Sequence, residues 1–137
     1  MANVIFLSTN YEYASEACEN FASSRDMFFV STNDIVEYEL SAYNELADVN
    51  EISKQTILRL LGYENCAIVM DLQYLSDEKV RERCFASKNL IYLPTDDNGK
   101  VYKIAKEELD KYFSSKVNYV VQKDELVKFL KNFKLEE

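Results

Sequence analysis

Apolar runs of four or five residues recur along this chain, and stretches with helical spacing separate them. Asn3-Val4-Ile5-Phe6-Leu7, Met27-Phe28-Phe29-Val30, Cys66-Ala67-Ile68-Val69-Met70, Leu90-Ile91-Tyr92-Leu93 and Val117-Asn118-Tyr119-Val120-Val121 read as strands. Runs this apolar fit strands covered on both faces. Between them, residues 11–24 place Ala14, Ala17, Cys18 and Phe21 on one helical stripe, and residues 34–47 do the same with Val36, Leu40, Tyr43 and Ala47. Further helices are expected over 53–61, 77–86, 106–113 and 124–133, with a turn at 95–99 and a short edge strand or helix start at 101–104. Asn10, Asn33 and Ser53 are the expected N-caps, and Gly62 the stop after 53–61. Strands alternating with helices imply a parallel sheet with helices on both faces. The expectation is a single α/β domain over 1–137, doubly wound, with a mostly parallel five-stranded sheet in three layers.

Several function classes are disfavoured by composition. The net charge of -8 repels phosphate backbones and anionic lipid, and no Lys/Arg run offsets it, so neither nucleic acid nor membrane is an expected partner. No 18-residue apolar stretch exists, and the N-terminus lacks the basic and apolar regions of a secretion signal, so a cytoplasmic location is expected. Cys18, Cys66 and Cys84 are widely spaced among apolar residues and read as buried free thiols of a reducing compartment. Histidine is absent and no CxxC pair occurs, so no metal site and no histidine-based nucleophile is expected.

Chemistry in such a fold lies beyond the carboxyl ends of the strands. Those ends carry Ser8-Thr9-Asn10, Ser31-Thr32-Asn33-Asp34, Asp71-Leu72-Gln73-Tyr74, Thr95-Asp96-Asp97 and Gln122-Lys123-Asp124. A phosphate-cradling turn needs glycines, so that backbone N–H groups can face the anion, and a lysine to reach the outer phosphates. The turn after the first strand has neither. It keeps Ser15 but otherwise presents Tyr11, Glu12 and Tyr13, and Glu12 sets a carboxylate at a helix N-terminus, where a phosphate would bind. Tyr11, Tyr13 and Tyr74 are expected on loops at this rim, filling the cleft or meeting a partner. Asp71 is read first as a cap at a strand end and second as a ligand contact. Asp96 and Asp97 read as turn residues beside Asn98-Gly99.

The order of elements carries a resemblance. Asn3 to Ala22, the stretch Met27 to Glu37, Cys66 to Leu93 and the chain from Tyr119 follow, in length and apolar pattern, the strands and helices of the shikimate kinases. These are small P-loop kinases, and about three quarters of the chain takes part in the resemblance. The motif positions depart from the family. Its phosphate-loop lysine falls at Ala14, while the hydroxyl that follows survives as Ser15; its loop glycines fall at Ser8, Tyr11 and Tyr13. The aspartates that serve magnesium and substrate fall at Ser31 and Asn33, and the triple-glycine substrate turn falls near Leu72-Gln73-Tyr74. The arginine-bearing lid is shortened to Thr95–Lys103. A weaker resemblance joins Asp71, Thr95 and Lys123 to the aspartate, hydroxyl and lysine of response-regulator receiver domains, though Ser8-Thr9-Asn10 stands where the magnesium-binding acids would be.

The resulting expectation is a non-catalytic, pseudokinase-like domain that acts by binding or protein interaction, including self-association. It has no catalytic residue, no cofactor and no metal. Its candidate cleft comprises Ser8, Asn10, Tyr11, Glu12, Tyr13, Ser15, Ser31, Asn33, Asp34, Asp71 and Tyr74. One alternative is a shikimate-type small-molecule kinase with an atypical nucleotide site, its cations drawn from Arg25, Arg81 or Lys88. The other is an atypical receiver-like signalling domain.

Overall fold

The computed structural model describes residues 2–43, 47–93 and 123–137. In order along the chain are β1 (Val4–Ser8), α1 (Tyr11–Ser24), β2 (Phe28–Ser31), α2 (Thr32–Ser41), α3 (Val49–Leu60), β3 (Cys66–Asp71), a 3-10 turn (Leu72–Ser76), α4 (Glu78–Phe85) and β4 (Leu90–Leu93). A second 3-10 turn (Lys123–Glu125) then leads into α5 (Leu126–Asn132). The four strands lie in the order β2-β3-β1-β4, and every pairing is parallel. The expected fifth strand at 117–121, the helix at 106–113, the segment 101–104 and the turn at 95–99 lie outside the described residues.

Strand periodicity builds two cores from one sheet. Ile5, Leu7, Ile68, Met70, Leu90 and Tyr92 point to one face, where Val36, Ile57, Leu60, Val80 and Cys84 of α2, α3 and α4 cover them. Val4, Phe6, Ala67, Val69, Ile91 and Leu93 point to the other, under Ala14, Cys18 and Phe21 of α1 and Leu126 of α5, with Phe133 just beyond it. All four strands pair in parallel, and β1 and β4 are fully buried on both faces, which accounts for their lack of polar alternation.

Caps decide the helix boundaries. Asn10 caps α1 as expected, its Oδ1 accepting the Tyr13 N–H at 3.1 Å. The other two expected caps move. The helix after β2 begins at Thr32, two residues early, because Thr32 Oγ1 donates to the Val69 carbonyl at 2.7 Å and fixes the chain as it leaves the strand. Asn33 therefore lies inside the first turn, and α2 ends at Ser41 rather than continuing to 47. Likewise α3 starts at Val49, with Asp48 accepting the Glu51 N–H at 3.1 Å, so Ser53 sits within the helix. With so few glycines, the left-handed corners before β2 and β3 fall to Asp26 and Asn65, each at φ 56°.

Below the sheet, at its amino end, the Asn89 side chain clamps the chain after α5. Its Oδ1 accepts the Glu136 N–H at 2.8 Å, and its Nδ2 donates to the Glu136 and Asn3 carbonyls at 3.0 Å each. All three cysteines are free and buried. Burial pushes the Cys84 thiol up to about 12 and the Cys18 thiol well above its ordinary value, so neither is a ready nucleophile. No helix among the described residues is long and apolar enough to cross a membrane.

Candidate functional site

The carboxyl rim of the sheet is formed by Ser8, Ser31, Asp71 and Leu93, the last residues of the four strands. Ser8 is fully buried there. Its hydroxyl donates to the Leu93 carbonyl at 2.7 Å and accepts the Asn10 N–H at 2.9 Å. The next amides of the turn are also engaged by the chain: Tyr13 N–H by the Asn10 side chain and Ala14 N–H by the Asn10 carbonyl, each at 3.1 Å. Three N–H groups of the turn and first helical turn are thus bonded within the chain itself. Ala14, fully buried against the sheet, supplies no cation.

Tyr11 extends this closure across the rim. Its phenol lies 2.6 Å from Ser31 Oγ and accepts the Asn33 N–H at 3.1 Å. Because β3 lies between β1 and β2, these bonds carry the ring over the end of β3. Ser31 is the N-cap residue of α2 but makes no side-chain cap bond of its own; the phenol takes that place for Asn33. Burial raises the Tyr11 pKa against the opposing pull of its bonds to Ser31 and Asn33, so the phenol is neutral at ordinary pH. Asp34, exposed in the first turn of α2, raises it further.

The remaining candidates divide. Asp71 is occupied as a cap, its Oδ1 accepting the Gln73 N–H at 3.1 Å and starting the 3-10 turn. Tyr74 stands half-buried beside it; burial, Asp71 and Tyr11 all raise its pKa. Ser8, Asn10, Tyr11, Ser31, Asn33, Asp34, Asp71 and Tyr74 therefore share one rim. Glu12 is exposed in the first turn of α1 and Ser15 is half-buried one turn on. The tyrosines correct the expectation of loops: Tyr11 and Tyr13 lie in the first turn of α1 and Tyr74 in the 3-10 turn, and Tyr13 faces the seam with α5, where it lines a groove with Leu126 and Leu130. The cations proposed for an enzyme are each engaged by main-chain carbonyls. Arg25 Nη2 donates to the Leu130, Lys131 and Phe133 carbonyls at the end of α5. Arg81 donates to the Leu75 carbonyl at 3.0 Å, and Lys88 to the Glu137 carbonyl at 2.6 Å. Among the described residues no cluster of three or more Cys, Asp or Glu is arranged to hold a metal.

A second feature escaped the sequence reading. A groove of about 630 Å³ opens between α2, α3 and the turn after β3, lined by Asn50, Ser53, Lys54, Gln73, Tyr74 and Asp77 among others. Lys54 Nζ lies 3.7 Å from Asp77. The Val80 N–H and, more weakly, Lys54 hold the Asp77 carboxyl below its ordinary range. The signal was a polar stripe: Asn50, Ser53 and Lys54 continue the buried Ile57 and Leu60 at helical spacing, on a face otherwise given to the core.

Solved structures that match nearly the whole chain include three shikimate kinases. The shikimate kinase of Aquifex aeolicus vf5 aligns over 94% of this chain and 92% of its own, with TM-score 0.68 and 12% identity. The fold is that of the shikimate kinases. The enzyme of Bacteroides thetaiotaomicron matches at TM-score 0.57, 13% identity and coverage of 95% and 76%. That of Acinetobacter baumannii, solved with shikimate, matches at 0.54, 11% and coverage of 96% and 73%. No protein-family model and no curated protein matches the sequence. Within this shikimate-kinase fold, Ser8, Tyr11, Ala14, Ser31 and Asn33 are the residues that the resemblance assigns to phosphate, metal and substrate positions. Ser8, Tyr11 and Ser31 use their hydroxyls in bonds to one another or to neighbouring strands and turns, whereas Asn33 joins through its backbone N–H and its Oδ1 is buried without a hydrogen-bond partner among the described residues.

Proposed function

We propose that this protein is a non-catalytic member of the shikimate-kinase fold that acts by binding rather than by phosphoryl transfer. One observation carries the reading: the turn after β1 spends its own amides on Ser8 and Asn10, and Tyr11 bridges the rim to Ser31 and Asn33. A nucleotide at this turn would have to break at least three such bonds, with Glu12 adding negative charge beside it. Phosphoryl transfer depends on positioning and charge neutralisation, and the turn offers neither a lysine nor free glycine amides. An assay of ADP release with magnesium-ATP and small hydroxylated acids, shikimate among them, tests this. Turnover at the level of buffer is expected; magnesium-dependent turnover lost on Asp71→Asn would overturn the reading.

A second reading, a shikimate-type kinase with a relocated nucleotide site, draws on the groove beside Lys54. A small carboxylate there would compete with Asp77 for the ammonium group. Saturable shikimate binding that Lys54→Ala removes would favour it. The receiver-like reading requires Asp71 as a phosphate acceptor, whereas one of its oxygens is engaged as a cap. Stabilisation by beryllofluoride with magnesium would revive that reading.

A further inference from the structure

On the face of the sheet opposite Lys54, α1 and α5 run side by side in the same direction. Arg25, just past the end of α1, bonds the carbonyls at the end of α5, while Tyr13 and Leu126 both line the groove near the two starts. The seam between them is a groove of about 550 Å³ with an apolar floor of Ala17, Phe21, Leu126 and Leu130 among the described residues. Val127, on its lip, is 81% exposed. Charge is distributed unevenly along the seam. Glu12 and Glu16 on α1, and Asp124 and Glu125 before α5, stand at its start. Arg25 and Lys131 stand at its end. Glu19 lies off the lining stripe, and Asp26 lies beyond the helix in the corner that follows.

We propose that this seam is a self-association surface and that its occupant is a second copy of the chain. The proposal goes beyond the reading of a closed phosphate site and does not depend on it. A two-fold axis lying across the seam sets α5 against α5 and α1 against α1, both antiparallel. That arrangement brings Lys131 of each copy to Asp124 and Glu125 of the other, and Glu16 to Arg25. It also lays Val127 on Leu130 across the axis. The alternative axis, along the seam, would set acid on acid. The seam is about 21 Å long, from the 14 residues of α1. The 7 residues of α5 span only about 10 Å of it, so the two helices together cover about 300 Å², well short of the ~800 Å² per partner of a standard interface, and a weak, exchanging dimer is expected. The net charge of -8 opposes association at long range, so the test belongs at physiological ionic strength.

Sedimentation velocity over a concentration series, with circular dichroism to verify folding, tests the proposal. The wild-type chain should show a reversible monomer–dimer equilibrium, and Val127→Glu should raise its dissociation constant at least tenfold. Glu125→Lys and Lys131→Glu should each raise the dissociation constant at least tenfold alone, because the first sets the introduced lysine against Lys131 of the other copy and the second sets the introduced glutamate against Asp124 and Glu125. Mixed together, the two variants should form a heterodimer. A wild-type chain that stays monomeric throughout, a folded Val127→Glu variant that dimerises like wild type, or a mixture that does not pair would each overturn the proposal. The first of these results would leave the groove to a different partner.

Discussion

The turn after β1 and the groove beside Lys54 face the same end of one sheet and have opposite characters. In the turn, side chains and amides satisfy each other: Ser8 with Leu93 and Asn10, Asn10 with Tyr13, Tyr11 with Ser31 and Asn33. In the groove, the polar groups are spread over about 630 Å³, and the Lys54–Asp77 ion pair is loose at 3.7 Å and partly solvated. A buried polar group costs stability unless it is paired, and the rim pairs most of its own groups, Asn33 Oδ1 being buried there without a partner among the described residues. A solvated ion pair contributes little and leaves its charges available. Closure at one site and openness at the other are thus two outcomes of one rule about burial.

Substitutions should separate the two regions. Ser8→Ala leaves the buried Leu93 carbonyl and the part-buried Asn10 N–H without this partner, and should cost about 2 kcal/mol in chemical denaturation. A cost near zero would break the comparison, since the turn would then not depend on its own bonds.

Tyr11→Phe should cost about 1 kcal/mol by stranding the Ser31 hydroxyl and the Asn33 N–H. It should also change the alkaline limb of stability. Tyr11 keeps its proton in the fold past the point, near 10, at which the unfolded chain releases it. Its contribution is intact below that pH and is lost as pH rises through the elevated folded value. Stability against pH should therefore fall less steeply for Tyr11→Phe than for wild type, and identical slopes would show that the phenol is solvated.

The groove should respond least. Lys54→Ala should change stability by less than about 0.5 kcal/mol, as for any loose, solvated ion pair. Asp77 is held below its ordinary range mainly by its cap bond to Val80, so its contribution is present above about pH 3.8 and is lost as pH falls through the depressed folded value. Asp77→Asn should flatten the acid limb, while Lys54→Ala should barely move it. An equal effect from both would assign the depression to the ion pair rather than to the cap.

The sheet was legible because strands buried on both faces leave uninterrupted apolar runs, as in β1 and β4. Asn10 was legible as a cap because its bond spans only three residues. The start of α3 was not, because Val49, Asn50 and Glu51 are exposed and show no apolar stripe. The tyrosine cluster was half legible. Tyr11 and Tyr74 reach the rim, but Tyr13 follows Tyr11 by two helical positions, about 200° around the axis, and must face the other way. The bridge from Tyr11 to Ser31 crosses an intervening strand, and no local pattern encodes such a contact.

Closure of the turn after β1 is tested most directly by isothermal titration of the wild-type chain with magnesium-ATP at up to ~5 mM, paired with a thermal-shift series over the same range. The account predicts no saturable heat and no shift beyond that of matched magnesium and salt. Saturable, ATP-specific binding with concentration-dependent stabilisation would contradict it.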